Sequence, residues 1–485
     1  MNQAIRNTWI AAVVLFTLIL GSLTVVQFFQ AGSLQANNWN SRRILAEFSK
    51  NRGQITADGV TLAQSVPSND DWKYQRDYPG GPMYSSLTGF YSLTLGSTQL
   101  ESALNDELSG TGDSQFFDRT AQILSGTEPG GDSVELTVDP QLQKVAYDAL
   151  PEPQGNEGQQ AVAIVTNPKT GEVLAMASKP SFDANQLASH DNNVVARNLQ
   201  QLDGVKGLSA YTNPATENLL APGSVFKIVD TAAALESGKY SKDKELDNPP
   251  VLRLPGTTTD LPNYRLGACG TQSKASFTWV LAHSCNTPYA KIAMDLGEDT
   301  ISKKAQDFGF GKSLKIPTNV TASQFPQGLS KDQLALSAIG QYNVKATPMQ
   351  INMMAMAIAN GGEIMQPQLV KTVRGQDLSV KRQFKAKTLQ RATDENTASE
   401  IKDMMKETTR SGTATGAAIP GVEISSKTGT AEIANNETNS WYTGFAPADD
   451  PQVAVTVVVT HTDTDSGNYA VTSAARKIYE AVLNK

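Results

Sequence analysis

Histidine is nearly missing. The 485 residues contain three, His190, His283 and His461, which excludes a histidine-rich metal centre and turns attention to lysine, serine and carboxylates for any catalysis. Cysteine is scarcer still, Cys269 and Cys285 alone, so the chain is neither a disulfide scaffold nor a cysteine-ligated zinc protein. No segment is dominated by basic residues and the formal net charge is −7, so nucleic acid is not an expected partner. No metal and no cofactor is expected either. Internal repeats are lacking, and with hydrophobic residues at 39% global disorder is excluded. Long apolar runs are lacking too, with one exception.

That exception is at the start. Residues 7–41 carry no charged side chain, and Trp9 to Phe29 (WIAAVVLFTLILGSLTVVQFF) is almost wholly apolar. About 21 residues at about 1.5 Å each span roughly 31 Å, enough for a hydrocarbon core. A cleaved secretory signal has a shorter apolar stretch followed by small residues at a cleavage site, and QAGSLQANN offers no such site. The expectation is an uncleaved anchor over 9–30 with a cytoplasmic stub over 1–8 bearing Arg6. Positive charge on the short side places the rest outside the cell membrane. In that oxidising setting Cys269 and Cys285 are either free thiols or a disulfide whose loop is worth about 3 kcal/mol.

Residues 31–133 are polar and broken by SNDD, YPGG and GTEPGGD, which reads as a smaller mixed module. The cluster around Glu128–Asp132 marks a boundary, and 134–485 reads as one large domain. Val134–Val138 is an expected strand and Pro140–Leu150 an amphipathic helix. Ala161–Thr166 and Glu172–Ala177 make a hairpin. Helices are expected at 224–237, 276–296 and 332–360, late strands at 422–428, 440–446 and 453–460, and a closing helix at 474–483. Strands at both ends with helices between imply a sheet whose first and last strands meet.

The sharpest local feature is Ala221-Pro-Gly-Ser224-Val-Phe-Lys227, leading into an apolar run. Pro222 and Gly223 break the chain, so Ser224 falls at a helix start with Lys227 one turn on and on the same face. A desolvated lysine can take a hydroxyl proton, and a helix N-terminus favours a developing oxyanion. S-x-x-K alone is weak: it recurs at Ser241–Lys244 and Ser399–Lys402 in strongly polar stretches, read as solvated surface. Order supplies the specificity. Ser284-Cys285-Asn286 (S-x-N) follows 60 residues later and Lys427-Thr428-Gly429 (K-T-G) a further 143. The second K-T-G, at Lys169–Gly171, precedes every S-x-x-K and reads as a turn; the second S-x-N, at Ser466–Asn468, follows both K-T-G matches and reads as a loop.

These boxes and their surroundings resemble class B penicillin-binding proteins, bitopic peptidoglycan D,D-transpeptidases, most closely the actinobacterial penicillin-binding protein A group. Arg52-Gly53-Gln54-Ile55-Thr56-Ala57-Asp58, Arg76-Asp77-Tyr78-Pro79 with Gly89, and Gly96 to Glu101 with Leu108 and Gly110 resemble that class's pedestal boxes. In the large domain TGEVLAMASKPSFDAN (170–185), SAIGQYNVKATPMQ (337–350), AIANGG (357–362) and SWYTGFAPADD (440–450) resemble further segments of that class. The first box lacks the second Arg common after its Asp, since Gly59 follows Asp58, and NPATENLLAPGS lacks a basic residue many relatives carry. The resemblance implies an α/β (α+β) fold: a serine-β-lactamase-like transpeptidase domain with a central antiparallel sheet flanked by helices, a smaller α+β pedestal and one transmembrane helix. It implies Ser224 as nucleophile, Lys227 as general base, Ser284 as proton relay and Lys427 as tuner of that network. Asn286, Thr428 and Gly429 would bind substrate, and the backbone N–H groups of Ser224 and Thr430 would form the oxyanion hole. Implied partners are peptidoglycan stem peptides, β-lactams as covalent inhibitors, and cell-wall synthesis or division proteins including a glycosyltransferase.

A catalytic His283 is not expected, because the S-x-N box needs no imidazole. Gly340-Gln341 is read as near the cleft or as tight packing, Trp441 as cleft wall or core, Met353, Met354 and Met356 as helix core, and Asp449-Asp450 as a solvated turn. Two other functions share the boxes. A D,D-carboxypeptidase or β-lactamase would use water as acceptor and turn β-lactams over rapidly. A silent penicillin-binding scaffold would tolerate loss of Ser224.

Overall fold

In a computed structural model of the chain, residues 2–30, 48–111, 130–154, 158–263, 269, 272–433, 435 and 437–483 are described. The segment after the N-terminal apolar run and the Glu128-Pro129 turn lie outside the described residues. The N-terminal apolar run forms one helix, α1 (Gln3–Thr24), continued by a π turn to Phe29. Its 27 residues are unburied and are long and apolar enough to cross a membrane.

Two sheets organise the chain beyond α1. Their strands in chain order are β1 (Ile55–Ala57), β2 (Val60–Pro67), β3 (Tyr74–Asp77), β4 (Ser133–Leu136), β5 (Ala161–Thr166), β6 (Val173–Lys179), β7 (Val370–Arg374), β8 (Val380–Gln383), β9 (Ser425–Glu432), β10 (Thr438–Ala446) and β11 (Val453–Thr462). The principal helices after α1 are α2 (Pro140–Ala149), α3 (Lys227–Glu236), α4 (Phe277–Ala282), α5 (Asn286–Leu296), α6 (Lys331–Ser337), α7 (Pro348–Ala359), α8 (Glu395–Arg410) and α9 (Thr464–Leu483).

The smaller sheet has the order β8-β7-β4-β1-β2-β3. Strand 134–138, expected to open the large domain, instead pairs parallel with β1 and antiparallel with β7. The small sheet therefore takes two strands from residues 370–383, deep in the sequence of the large domain, and a boundary at 133/134 cuts through it. No local pattern could show this, because strand pairing across more than 200 residues leaves no periodic mark. The three N-terminal boxes meet in one buried ion triad. Arg52 Nε and Arg76 Nε lie 2.6 Å and 2.7 Å from the two oxygens of Glu101. Tyr78 donates its hydroxyl to the same carboxylate at 3.2 Å, and the Arg52 guanidinium stacks 4.2 Å over Tyr91. Burial pushes the Glu101 carboxyl up, but Arg76 and Arg52 outweigh it and hold it below the usual range.

The larger sheet has the order β9-β10-β11-β5-β6, every pairing antiparallel. The first and last long strands meet, Val457 opposite Ala163. Alternation in β5 sorts its side chains: Val162 and Ile164 join the core under α7, while Ala161, Ala163 and Val165 pack with α2 and α9. The α7 methionines 353, 354 and 356 are all buried. Asn352 ties α7 to the sheet by accepting from Thr166 Oγ1 at 2.7 Å.

Two expected helices divide at functional turns. The run 276–296 breaks between α4 and α5, where Ser284 takes φ +58°. The run 332–360 breaks between α6 and α7, where Gly340 and Tyr342 take φ +69° and +56°. Apolar periodicity continues through both breaks, so sequence pattern reads them as helix. Helix α9 begins ten residues earlier than expected, absorbing Ser466–Asn468.

Candidate active site

Ser224 lies in a 3-10 turn (Gly223–Phe226) that feeds directly into α3, which starts at Lys227. This turn is wedged between two backbones. An added Cβ on Gly223 would meet Thr430 O at 2.5 Å, and one on Gly429 would meet Pro222 O at 2.7 Å. Glycine at both positions is what lets β9 run past the serine at backbone distance. From the other side Gly340 accepts a hydrogen bond from Gly223 N at 3.0 Å. Trp441, wholly buried, donates its indole N–H to Ala221 O at 3.0 Å. Trp441 thus belongs to the core and braces the turn from behind.

The S-x-N turn brings its groups to the same place. Lys227 Nζ, fully buried, donates to Ser284 O at 2.8 Å and to Asn286 Oδ1 at 2.8 Å, with Ser284 Oγ at 3.4 Å. Lys427 Nζ, also buried, lies 2.9 Å from Ser284 Oγ and donates to Thr428 O at 2.9 Å. One hydroxyl is therefore shared by two amines. Burial, then repulsion from Lys427, drives Lys227 well below an ordinary lysine despite the opposing pull of Asp230. Burial alone brings Lys427 down to about 7. Two full positive charges on one buried hydroxyl are unfavourable, so the pair favours one neutral amine. A neutral lysine accepts a proton; a protonated one donates it.

Cys269 and Cys285 are joined in a disulfide. The bridge ties the middle of S-x-N to the segment after the hairpin 251–253/260–262. Asn263 Oδ1 accepts from Asn286 N at 2.8 Å and Thr287 N at 2.9 Å, capping α5 where Cys285 cannot. Asn286 Nδ2 in turn donates to Pro262 O at 3.1 Å.

These groups open on a cleft of about 840 Å³ lined by Ser224, Ser284, Asn286, Thr428, Gly429 and Thr430. Strand β9 is the sheet's edge, so one side of its backbone faces this cleft without a partner strand. Ser224, Ser284, Asn286, Thr428, Gly429 and Thr430 thus line one cavity, and Lys227 and Lys427 are buried behind it on Ser284. His283 is not part of it: its ring stacks on Trp279 at 3.5 Å, and burial lowers its pKa. Lys169 sits in an exposed turn paired with Asp450 at 2.5 Å.

Several lining residues escaped the motif reading. Thr413 Oγ1 lies 2.5 Å from Thr428 Oγ1, its N–H donates to Ala282 O at 3.1 Å, and its carbonyl accepts from Asn468 at 3.3 Å. Asn468 belongs to the second S-x-N match, which the sequence order discards, yet it reaches the cleft rim. Leu261–Asn263 and Tyr342 also line the cavity, as does Gln341, for which the sequence offered a place near the cleft or tight packing. Asp230, one turn beyond Lys227, is wholly buried with neither carboxyl oxygen hydrogen-bonded, and burial raises it far above an ordinary aspartate. Only its position three residues after Lys227 could have flagged it.

Residues 161–481 match the family model of the penicillin-binding protein transpeptidase domain. The chain belongs to this family. Residues 52–134 match the penicillin-binding protein A dimerisation domain. The chain is 38% identical over 465 residues to peptidoglycan D,D-transpeptidase PbpA of Mycolicibacterium smegmatis, covering 95% of this chain and 94% of that one. It is 37% identical over 466 residues, with the same coverage, to PbpA of Mycobacterium tuberculosis. The ceftriaxone acyl-enzyme structure of penicillin-binding protein A from M. tuberculosis superposes with a TM-score of 0.85 at 35% identity, covering 90% of this chain and all of that one.

Proposed function

We propose that the chain is a peptidoglycan D,D-transpeptidase that works through a Ser224 acyl-enzyme. The observation that carries this is the pair of buried lysines hydrogen-bonded to the Ser284 turn beside a nucleophile turn held at backbone distance from β9. Neutral Lys227 takes the Ser224 proton as Oγ attacks the carbonyl carbon of the penultimate D-Ala. The N–H groups of Ser224 and Thr430 receive the oxyanion, an interaction worth several kcal/mol of barrier. The C–N bond then breaks, and Ser284 passes a proton from the lysine pair to the departing D-Ala nitrogen. A second stem peptide's amine attacks the ester, a new amide forms and Ser224 recovers its proton. Asn286 orients the donor backbone. Thr428, backed by Thr413, meets the terminal carboxylate, and Lys427 supplies the positive field. A β-lactam enters the same first half-reaction and stays as the ester.

On this reading residues 1–8 form a cytoplasmic stub, 9–30 a single membrane span, 31–133 a pedestal and 134–485 the catalytic domain, with β7 and β8 lent to the pedestal sheet. The catalytic domain is extracytoplasmic. The partners are nascent or lipid-linked peptidoglycan and wall-synthesis or division proteins including a glycosyltransferase. The length of α1 and the disulfide support the location.

Intact-mass measurement after penicillin G treatment tests the assignment. Wild type gains one slowly hydrolysed adduct and Ser224→Ala gains none; an adduct on Ser224→Ala refutes it. Rapid release from wild type points instead to a hydrolase.

A further inference from the structure

The cleft lining mixes two chemistries. Ser284, Asn286, Thr413, Thr428 and Thr430 bring hydroxyls and an amide, while Leu336, Ile339 and Tyr342, from the end of α6 and the turn after it, bring apolar surface beside Gln341. Tyr342 is the anomaly. It is 40% exposed, yet it holds φ +56°, a conformation that L side chains other than Asn and Asp rarely adopt. Left-handed backbone is unfavourable for a bulky residue, and glycine would fill the position without strain. The surroundings hold the conformation in place. Gln341 N donates to Leu336 O at 3.1 Å, Val344 N to Gln341 O at 3.3 Å, and Gly340, two residues away, is in backbone contact with Gly223 beside the nucleophile. Strain kept at an exposed aromatic inside a catalytic cleft points to a use for the ring rather than to packing.

We propose that Tyr342 is a specificity-determining residue, forming with Leu336 and Ile339 an apolar platform for the substituent carried by the acyl group of the donor. In a β-lactam that substituent is the amide side chain; in a stem peptide it is the residue preceding the cleaved D-Ala-D-Ala pair, whose methylene chain lies along the ring. The polar side chains then take the backbone and carboxylate common to all donors, and the apolar platform tells donors apart. This rests on the transpeptidase reading above.

The test compares acylation by penicillin G, which carries a phenylacetyl group, with 6-aminopenicillanic acid, which has no acyl side chain. In Tyr342→Gly the second-order acylation constant for penicillin G falls about tenfold or more, the equivalent of one ring contact of about 1.4 kcal/mol. The constant for 6-aminopenicillanic acid stays within twofold. Tyr342→Phe keeps both near wild type, because the platform needs the ring and not the hydroxyl. The melting temperature of Tyr342→Gly does not fall appreciably, since relief of strain offsets glycine's greater chain entropy. An equal loss with both compounds, or no loss with penicillin G, overturns the proposal. Failure of both compounds to acylate wild type instead overturns the transpeptidase reading.

Discussion

Gly340→Ala isolates how the nucleophile turn is held. The substitution places a Cβ 2.0 Å from Gly223 O, 2.6 Å from its carbon and 2.7 Å from its nitrogen. Real Cβ atoms essentially never approach closer than 3.0 Å, so the loop and the Ser224 turn must separate by about 1 Å. That movement stretches the 3.0 Å Gly223 N–H to Gly340 O bond, worth about 1 kcal/mol. The left-handed backbone adds about 1–2 kcal/mol, for a total of about 2–3 kcal/mol. Stability survives this in a chain of this size, but geometry does not: about 1 Å at a reacting atom costs about a hundredfold in rate. Gly238→Ala is the matched control, because Gly238 has the same φ of +69° with nothing within 4 Å of its Cβ. The assay is a time course of penicillin G adduct by intact mass, with thermal melts of all three proteins. Gly340→Ala is expected to melt lower than Gly238→Ala and to acylate about a hundredfold more slowly, while Gly238→Ala acylates like wild type. Acylation of Gly340→Ala within about threefold of wild type refutes the bracing of Ser224 by this loop.

The lysine pair predicts a bell-shaped pH profile for acylation. The rate rises as Lys227 loses its proton, well below the ordinary lysine range, and falls near pH 7 as Lys427 loses the proton it donates. Lys427→Arg, which cannot deprotonate, removes the falling limb; a limb persisting in that variant assigns it elsewhere. Stability follows the opposite sign. The folded state binds fewer protons than the unfolded one between pH 7 and 10.5. Lys427 burial is thus most costly below pH 7, and its penalty fades as pH rises, a trend that urea titrations at stepped pH detect by its loss in Lys427→Met. In the N-terminal region, Glu101→Gln strands two buried guanidinium groups and costs about 3–5 kcal/mol. Its melting temperature drops while acylation of the folded fraction is unchanged, since Glu101 is absent from the cleft lining; a preserved melting temperature refutes the triad's structural role.

The sequence by itself determined the three motifs and the order in which the chain presents them. Ser224-x-x-Lys227 is local, one helical turn, and needs only a chain break and an apolar run to be legible. The periodic elements were legible for the same reason, as with the β5–β6 hairpin and the methionine-rich α7. Tertiary structure decided what those residues meet. A lysine reads as an ordinary solvated charge until burial and a second lysine on Ser284 change its proton affinity, and both come from contacts spanning 57 and 143 residues. The turns at Ser284 and Tyr342 were read as helix because side-chain periodicity records which face is apolar, not the sign of φ at one residue. Thr413, Asn468 and the 261–263 segment enter the cleft from separate parts of the chain without a motif, and the smaller sheet takes β7 and β8 from a distant segment. Pattern along a chain reports the local backbone and its apolar face; which faces then oppose one another is set by packing of the whole.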